Sequence, residues 1–286
     1  MMSDAFNLKM PESRTTSVVF ASPHSGRDYD RSFLRQTVLD ERLIRSSEDA
    51  FVDRLLTAAP AHGAILMAAR KPRAFVDLNR DCSELDSALI EGVKKQAHNP
   101  RVASGLGVIP RVVSGSRAIY RGKISQEEAF ERIRGYWRPY HDMLHTILTQ
   151  NQTLFGRSIL VDCHSMPHEA LEVLTRANRP RPDIVIGDRF GASADEDIVA
   201  QIEQIFSDAG LRVARNTPFA GAYIAKQYGQ PAKNRHCIQI EIDRALYMDE
   251  QMVLPNDNFG AFQSLMKDVT ARIADIGRGE IRLAAE

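Results

Sequence analysis

The chain has 286 residues, 43% of them hydrophobic, which is enough to fill a substantial core in one large domain or two small ones. Lys plus Arg and Asp plus Glu both number 37, so no basic field attracts nucleic acid or an anionic membrane, and a small-molecule partner is expected. The apolar runs are too short to span a bilayer and the N-terminus has no signal-peptide core, which predicts a cytoplasmic protein. The three cysteines lack metal-type spacing, so neither a disulfide framework nor a Cys-based zinc site is indicated.

Six short apolar runs, rich in β-branched residues and bounded by turn residues, are predicted to be strands. In chain order they are Ser17–Ser22, Ala64–Ala68, Ala74–Leu78, Ser158–Cys163, Asp183–Ile186 and Cys237–Ile242. Several of them lack an alternation of apolar and polar residues, which is typical of strands that are buried on both faces.

Helical patterns lie between and after these runs. Ser125 followed by Glu128 is a capping box, which predicts the start of a long helix that Pro139 should bend. Apolar stripes at helical spacing predict two further helices, one over Ile198–Phe206 and one over Phe262–Ile273.

The order of these elements predicts the fold class. Strands that alternate with helices favour an α/β protein with an open, twisted, largely parallel mixed sheet and helices on both faces. A single domain over residues 1–286 is expected, with a loop-rich insertion around 93–118, where glycine and proline recur.

Chemically capable residues follow or end three of the predicted strands. His24 comes just after the first strand, His164 just after the fourth, and the last strand carries Glu241 and is followed by Arg244. Ligands of open α/β sheets bind beyond the carboxyl ends of the strands, so these side chains are expected to meet at one edge. Two imidazoles and a carboxylate suit a divalent metal, zinc above all, with one position left for water.

An acidic third ligand is expected, and Glu48 and Asp49 are the candidates. Both precede the helical run Phe51–Leu55, where acidic residues are also common simply as helix caps. The residues alone therefore leave open both the choice between these acids and a capping role.

A cluster of basic residues surrounds the predicted strand Ala74–Leu78. Arg73 precedes the strand, and Asn79 and Arg80 follow it, so together they could clamp a carboxylate in bidentate fashion. A substrate that bears a carboxylate is implied. The alternative is a surface ion-pair cluster with nearby acids such as Asp77 or Asp81.

Six motifs occur in order between Ser17 and Glu250, and their combination is distinctive. They are Pro-His-Ser-Gly, Asp-x-x-Val-Asp-x-Leu, Val-Asp-Leu-Asn-Arg, Tyr-Trp-Arg-Pro-Tyr-His, Asp-x-His-Ser and Glu-Ile-x-Arg-x-Leu-Tyr-Met-Asp-Glu. The chain resembles the N-formylglutamate amidohydrolase family, which is similar in fold to zinc carboxypeptidases and aspartoacylase. Proteins of those two groups share a Leu-Asn-Arg element that holds a substrate carboxylate. A carboxypeptidase-like fold is thus implied.

The resemblance also implies roles for individual residues. His24, His164 and Asp49 correspond to metal ligands, with Glu48 still open as the acidic one, and Glu241 corresponds to the general base and acid. The substrate's carboxylates would be bound by Asn79 and Arg80 with Arg73 and Arg244, and Tyr223 would line the pocket.

The activity implied is zinc-dependent hydrolysis of an N-acyl acidic amino acid, with N-formyl-L-glutamate giving formate and L-glutamate. Two departures from the family pattern, the segment Gly105–Val113 and Cys163 in place of a commoner alanine, bear on substrate specificity. A broader N-acyl-amino-acid or peptide carboxyl-end hydrolase is the first alternative. A non-catalytic carboxylate-binding protein on the same fold is the second.

Overall fold

A seven-stranded sheet forms the centre of the protein in the computed structural model, which describes residues 3–94, 99–172 and 181–278. The order of its strands is β1-β3-β2-β6-β9-β7-β8, and β4-β5 and β10-β11 form two small hairpin-like pairs. The strands are β1 (Phe6–Lys9), β2 (Val18–Ser22), β3 (Ile65–Ala69), β4 (Val112–Val113), β5 (Arg117–Ala118), β6 (Ser158–Met166), β7 (Ile184–Gly187), β8 (Val213–Arg215), β9 (Arg235–Asp243), β10 (Met248–Asp249) and β11 (Leu254–Pro255).

The four central strands run parallel, so their carboxyl ends share one edge of the sheet. β2 pairs in parallel with both β3 and β6, and β6 pairs in parallel with β9. β7 is antiparallel to β9, and β1 is antiparallel to β3. The predicted mixed, largely parallel sheet is therefore confirmed.

Five of the six predicted strands are present, but the prediction for Ala74–Leu78 is wrong. That segment is a turn, in which the backbone N–H groups of Phe75 and Val76 bond to Pro72 O, and the Asp77 N–H bonds to Val108 O in the insertion. Its alternate residues Ala74, Val76 and Leu78 are nevertheless buried. The apolar alternation thus arises from packing and not from a strand ladder.

Helices cover both faces of the sheet. Among the described residues they are α1 (Arg31–Gln36), α2 (Val52–Leu55), α3 (Pro100–Ala103), α4 (Gln126–Arg132), α5 (Arg138–Phe155), α6 (Glu196–Asp208), α7 (Tyr223–Tyr228) and α8 (Phe259–Ile276). Single 3-10 turns occur at Leu43–Arg45, Ala59–His62, Ser114–Ser116, His168–Leu171, Pro231–Lys233 and Arg244–Leu246. None of the helices in these ranges is long and apolar enough to cross a membrane.

The long predicted helix is capped as expected but is interrupted differently. Ser125 Oγ accepts from the Glu128 N–H at 3.1 Å, which confirms the N-terminal cap. Between α4 and α5 lies one turn of π-helix, Ile133–Trp137, in which the Arg138 N–H bonds to Ile133 O. Pro139 has no N–H to donate, and the wider turn accommodates this missing bond.

Strand β2 shows why the central strands are apolar on both faces. Val18 and Phe20 pack with α2, α6 and α8, whereas Val19 and Ala21 pack with α4, α5 and α7 on the other side. Successive side chains point to opposite faces of a strand, so both sets must be apolar.

The predicted insertion around 93–118 contains helix α3 and the β4–β5 pair, while residues 95–98 lie outside the described residues. Its hairpin is antiparallel, with Val112 opposite Ala118.

Candidate active site

Two imidazoles and a carboxylate meet at the carboxyl edge of the parallel strands. His24 follows β2, His164 lies near the end of β6, and Asp49 lies in the turn before α2. The two Nδ1 atoms are 3.1 Å apart, and Asp49 Oδ2 is 3.0 Å from His164 Nδ1 and 3.4 Å from His24 Nδ1. All three residues are buried. The structure thus brings together the two histidines that the sequence placed at strand ends.

Local backbone contacts position this group. The Asp49 N–H donates to His24 O at 3.0 Å, which ties the acidic turn to the loop after β2. In that loop, a Cβ atom on Gly26 would lie 2.1 Å from Lys71 O. Only glycine allows this close approach of two backbone segments, which explains the last residue of Pro-His-Ser-Gly.

Buried carboxylates lie beside the outer nitrogens of both imidazoles. His24 Nε2 lies 2.7 Å from Asp77 Oδ1, and His164 Nε2 lies 3.0 Å from Asp162 Oδ2. Asp77 bonds to His24 Nε2, and a carboxylate that accepts the Nε2 proton leaves the Nδ1 lone pair of that ring free to ligate. This arrangement orients both inner nitrogens toward Asp49.

The spacing of the three inner atoms fits a divalent metal. A tetrahedral ion with bonds of about 2.0–2.1 Å holds its ligand atoms about 3.3 Å apart, and the observed separations are 3.0 to 3.4 Å. Burial by itself would raise the pKa of Asp49, but the adjacent His164 and His24 hold that pKa well below its usual range. The group therefore offers an ionised oxygen and two nitrogens to a cation.

Glu48 points away from the two histidines. Its carboxylate accepts from the Tyr29 hydroxyl at 2.6 Å and from Arg45 Nε at 3.0 Å. Neither Glu48 nor Asp49 caps the following helix, because the residue at the N-cap is Phe51, which has a left-handed φ of 67° and no side-chain cap bond. The capping alternative is wrong, and Asp49 is the acid that joins the histidines.

Glu241 lies beside this group on the neighbouring strand. It is aligned with His164 in the β6–β9 register, so both side chains project from the same face of the sheet. Burial raises the pKa of Glu241 to about 7, and the Gln239 amide donates to its Oε1 at 2.8 Å. A carboxylate with this pKa can both take up and release a proton near neutral pH.

A cavity of about 500 Å³ opens onto these residues. Of the residues that the sequence predicted to bind substrate, it is lined by Arg73, Asn79, Arg80 and Arg244. Tyr223 is not among the lining residues. Its ring packs against Trp137 and His141, with ring centroids 5.8 and 5.4 Å away.

Two of the lining arginines are paired with acids of the site. Arg73 Nη2 bonds to Asp77 Oδ2 at 2.9 Å, and Arg244 Nη2 bonds to Asp49 Oδ1 at 3.1 Å. The alternative prediction for this segment, a surface ion-pair cluster with Asp77, is therefore correct in part. Arg73 does pair with Asp77, but the pair lies inside the protein, because Asp77 is buried.

Helix α5 and the π turn before it anchor the segment that carries Asn79 and Arg80. Trp137 Nε1 donates to Arg80 O, and His141 Nε2 donates to Leu78 O, both at 2.9 Å. The sequence contained a signal for these anchors, because Trp137 and His141 stand four residues apart within Tyr-Trp-Arg-Pro-Tyr-His. Their role was missed because their bonding partners lie about sixty residues away.

Asn79 itself is held at both ends of its amide. Its Oδ1 accepts from the Ile224 N–H at 2.7 Å, and its Nδ2 lies 3.2 Å from His164 Nε2. Asn79 therefore links its own segment, which carries Arg80, to helix α7 and to His164.

Two buried imidazoles and an ionised carboxylate, next to a glutamate whose pKa is raised to about 7, define a hydrolase-type site on an α/β sheet. The sequence profile of N-formylglutamate amidohydrolase matches residues 16–248. This chain belongs to the N-formylglutamate amidohydrolase family, and it is an amidohydrolase.

Individual proteins show the same similarity. N-formylglutamate deformylases from Pseudomonas aeruginosa and Pseudomonas putida are 28% and 26% identical to this chain, and each match covers 82% of it and 83% or 82% of the relative. The structure of an N-formylglutamate amidohydrolase from Ralstonia eutropha aligns with a TM-score of 0.90 at 36% identity, covering 96% of this chain and 99% of that one. A protein from Agrobacterium tumefaciens shares the fold, with a TM-score of 0.65 at 15% identity over 95% of this chain and 96% of the other.

Proposed function

We propose that this chain hydrolyses N-formyl-L-glutamate to formate and L-glutamate, with one zinc ion held by His24, Asp49 and His164. The observation that carries the proposal is the compact His-Asp-His group with Glu241 beside it. The substrate is supported by the two Pseudomonas relatives, which are named N-formylglutamate deformylase.

The metal and Glu241 have separate tasks in the proposed reaction. When bound, the ion supplies Lewis acidity, which activates water and polarises a carbonyl oxygen. Glu241 in its ionised form removes a proton from the attacking water and then delivers that proton to the amine nitrogen of the leaving glutamate. A pKa of about 7 suits both halves of this transfer, because the group is neither too weak a base nor too weak an acid.

The arginines bind and stabilise negative charge. Arg80 and Asn79 hold a carboxylate of the substrate, while the backbone bonds from Trp137 and His141 keep their segment in place. Arg73, whose Nη1 lies 4.0 Å from Asp49 Oδ1, stabilises the charge that develops on the amide oxygen. Arg244 holds Asp49 through the 3.1 Å bond between its Nη2 and Asp49 Oδ1.

Replacement of the general base tests the mechanism. Glu241→Gln is expected to lower kcat by about 10²- to 10⁴-fold, because the amide cannot accept the proton of water. Zinc content measured by atomic emission should stay at the wild-type level, since Glu241 is not in the donor set. Glu91→Gln is the control, because this side chain is exposed and does not line the cavity. A Glu241→Gln enzyme with wild-type turnover would overturn the role.

A substrate panel tests the reaction itself. Formate release from N-formyl-L-glutamate by the zinc-loaded enzyme is expected, with slower hydrolysis of N-acetyl-L-glutamate and of peptides that end in glutamate. Faster hydrolysis of the acetyl or peptide substrates would favour the broader hydrolase. Binding of L-glutamate without hydrolysis of any substrate, at full zinc occupancy, would favour a binding protein.

A further inference from the structure

The cavity is lined by more arginines than acidic residues. Two of its cations are paired within hydrogen-bond distance, Arg73 with Asp77 and Arg244 with Asp49. Two further arginines line the same cavity, Arg80 and Arg101. The third acid of the lining, Glu241, is bonded to Gln239.

Arg80 is a buried cation without a close partner. It is 9% exposed, the nearest carboxylate oxygen, Asp77 Oδ2, is 3.9 Å from its Nε, and that Nε has no hydrogen-bond partner within the described ranges. Burial lowers the pKa of Arg80, Asp77 offsets part of this effect, and the charges of Arg101 and Arg73 lower the pKa further. A buried charge without a close partner has an unfavourable desolvation free energy. An anion bound in the cavity would offset that free energy.

Arg101 reaches the cavity from the insertion. It lies in helix α3, whose start is held by Asn99 Oδ1, which accepts from the Arg101 N–H at 3.0 Å. The Arg101 side chain is exposed, and its guanidinium forms no ion pair with an acidic side chain of residues 3–94, 99–172 or 181–278. Ser104 and Ser114–Ser116 of the same insertion also line this wall of the cavity. This wall of the cavity thus presents one unpaired positive charge among neutral side chains.

We propose that Arg101 binds the second carboxylate of the substrate, so that the cavity selects dicarboxylates, with Arg80 holding one carboxylate and Arg101 the other. This inference rests on the proposed function and names the residue that would give it preference for an acidic amino acid. Two free guanidinium groups match two carboxylates, and each can form charge-assisted, bidentate bonds. The insertion would therefore determine the substrate specificity of the site through Arg101.

Matched substrates provide the kinetic test. Arg101→Gln is expected to lower kcat/KM for N-formyl-L-glutamate by about tenfold or more, mainly through KM, because a charge-assisted hydrogen bond of substrate binding is lost. The value for N-formyl-L-glutamine, which lacks the second charge, should stay unchanged. Arg101→Lys should restore part of the preference. The control Lys94→Gln removes an exposed positive charge from the same insertion at a residue that does not line the cavity. It should leave kcat/KM unchanged for both substrates.

Binding separates this inference from the proposed function. Calorimetry with glutarate and its monoamide, glutaramate, needs no turnover, and Arg101→Gln should weaken glutarate binding about tenfold while leaving glutaramate as it was. If no substrate is hydrolysed but this shift occurs, Arg101 keeps its role and the proposed function fails. If N-formyl-L-glutamate is hydrolysed and the variant still discriminates glutamate from glutamine as the wild type does, the Arg101 assignment is overturned.

Discussion

His141 is predicted to make the stability of this protein depend on pH. Its Nε2 donates to Leu78 O, and its Nδ1 lies 2.9 Å from the Tyr228 hydroxyl. Burial lowers the pKa of His141 from 6.5 to about 4, although its bond to Leu78 O and the charge of Asp81 oppose this change. The imidazole is therefore neutral in the folded protein over a range in which the unfolded chain protonates it.

The lowered pKa of His141 makes the free energy of unfolding depend on pH. Below pH 6.5 the unfolded chain binds the proton that the folded protein refuses, so the free energy of unfolding falls as pH falls from 6.5 to about 4. At pH 5 the difference between these two pKa values amounts to about 2 kcal/mol. At pH 7.5 both states are neutral and the contribution vanishes.

Urea denaturation of wild type and His141→Gln measures this contribution. The experiment is run with EDTA at pH 7.5 and pH 5, so that loss of metal in acid does not contribute. Loss of the bond to Leu78 O should destabilise the variant at pH 7.5 by about 1–3 kcal/mol. At pH 5 the advantage of the wild type should shrink by about 2 kcal/mol.

The control is His145→Gln, four residues further along α5, where the side chain is exposed. Its free energy of unfolding should run parallel to that of the wild type between the two pH values. A difference between wild type and His141→Gln that is the same at both pH values would refute a buried neutral His141.

Two further changes probe the metal group and its scaffold. Asp77→Asn should weaken zinc binding about 10- to 100-fold in a chelator competition, because Asp77 fixes the tautomer of His24. Asp81→Asn serves as the control. Equal zinc affinities of Asp77→Asn and the wild type would contradict this role of Asp77. Gly26→Ala should lower the thermal midpoint, since the new Cβ would lie 2.1 Å from Lys71 O and overpacking costs about 1–3 kcal/mol. An unchanged midpoint would show that the two backbone segments can separate freely.

Sequence reasoning located the residues whose positions follow from strand geometry. The carboxyl ends of parallel strands meet at one edge, so His24, His164 and Glu241 could be brought together once three apolar runs had been recognised. Periodicity also predicted the helices with apolar stripes, because a stripe at helical spacing has only one efficient way to be buried.

The wrong strand prediction has a physical cause. Ala74–Leu78 has the apolar alternation of a strand, but its backbone N–H groups bond within a turn and to Val108 O. Alternation reports burial, whereas a strand also needs a neighbouring ladder, and the availability of that neighbour depends on the rest of the chain. The edge strands β1 and β8 were missed for the opposite reason, since each is short and only partly apolar.

The sequence by itself determined the class of fold, the family and which side chains end the central strands. Only the tertiary structure decided between Asp49 and Glu48, because adjacent acids differ in the direction of their side chains and in their partners, Tyr29 and Arg45 for one and two histidines for the other. The tertiary structure also decided which arginines of the cavity are paired with an acidic side chain and which are not. Charge pairing depends on distances of a few ångströms between residues that lie far apart in the chain.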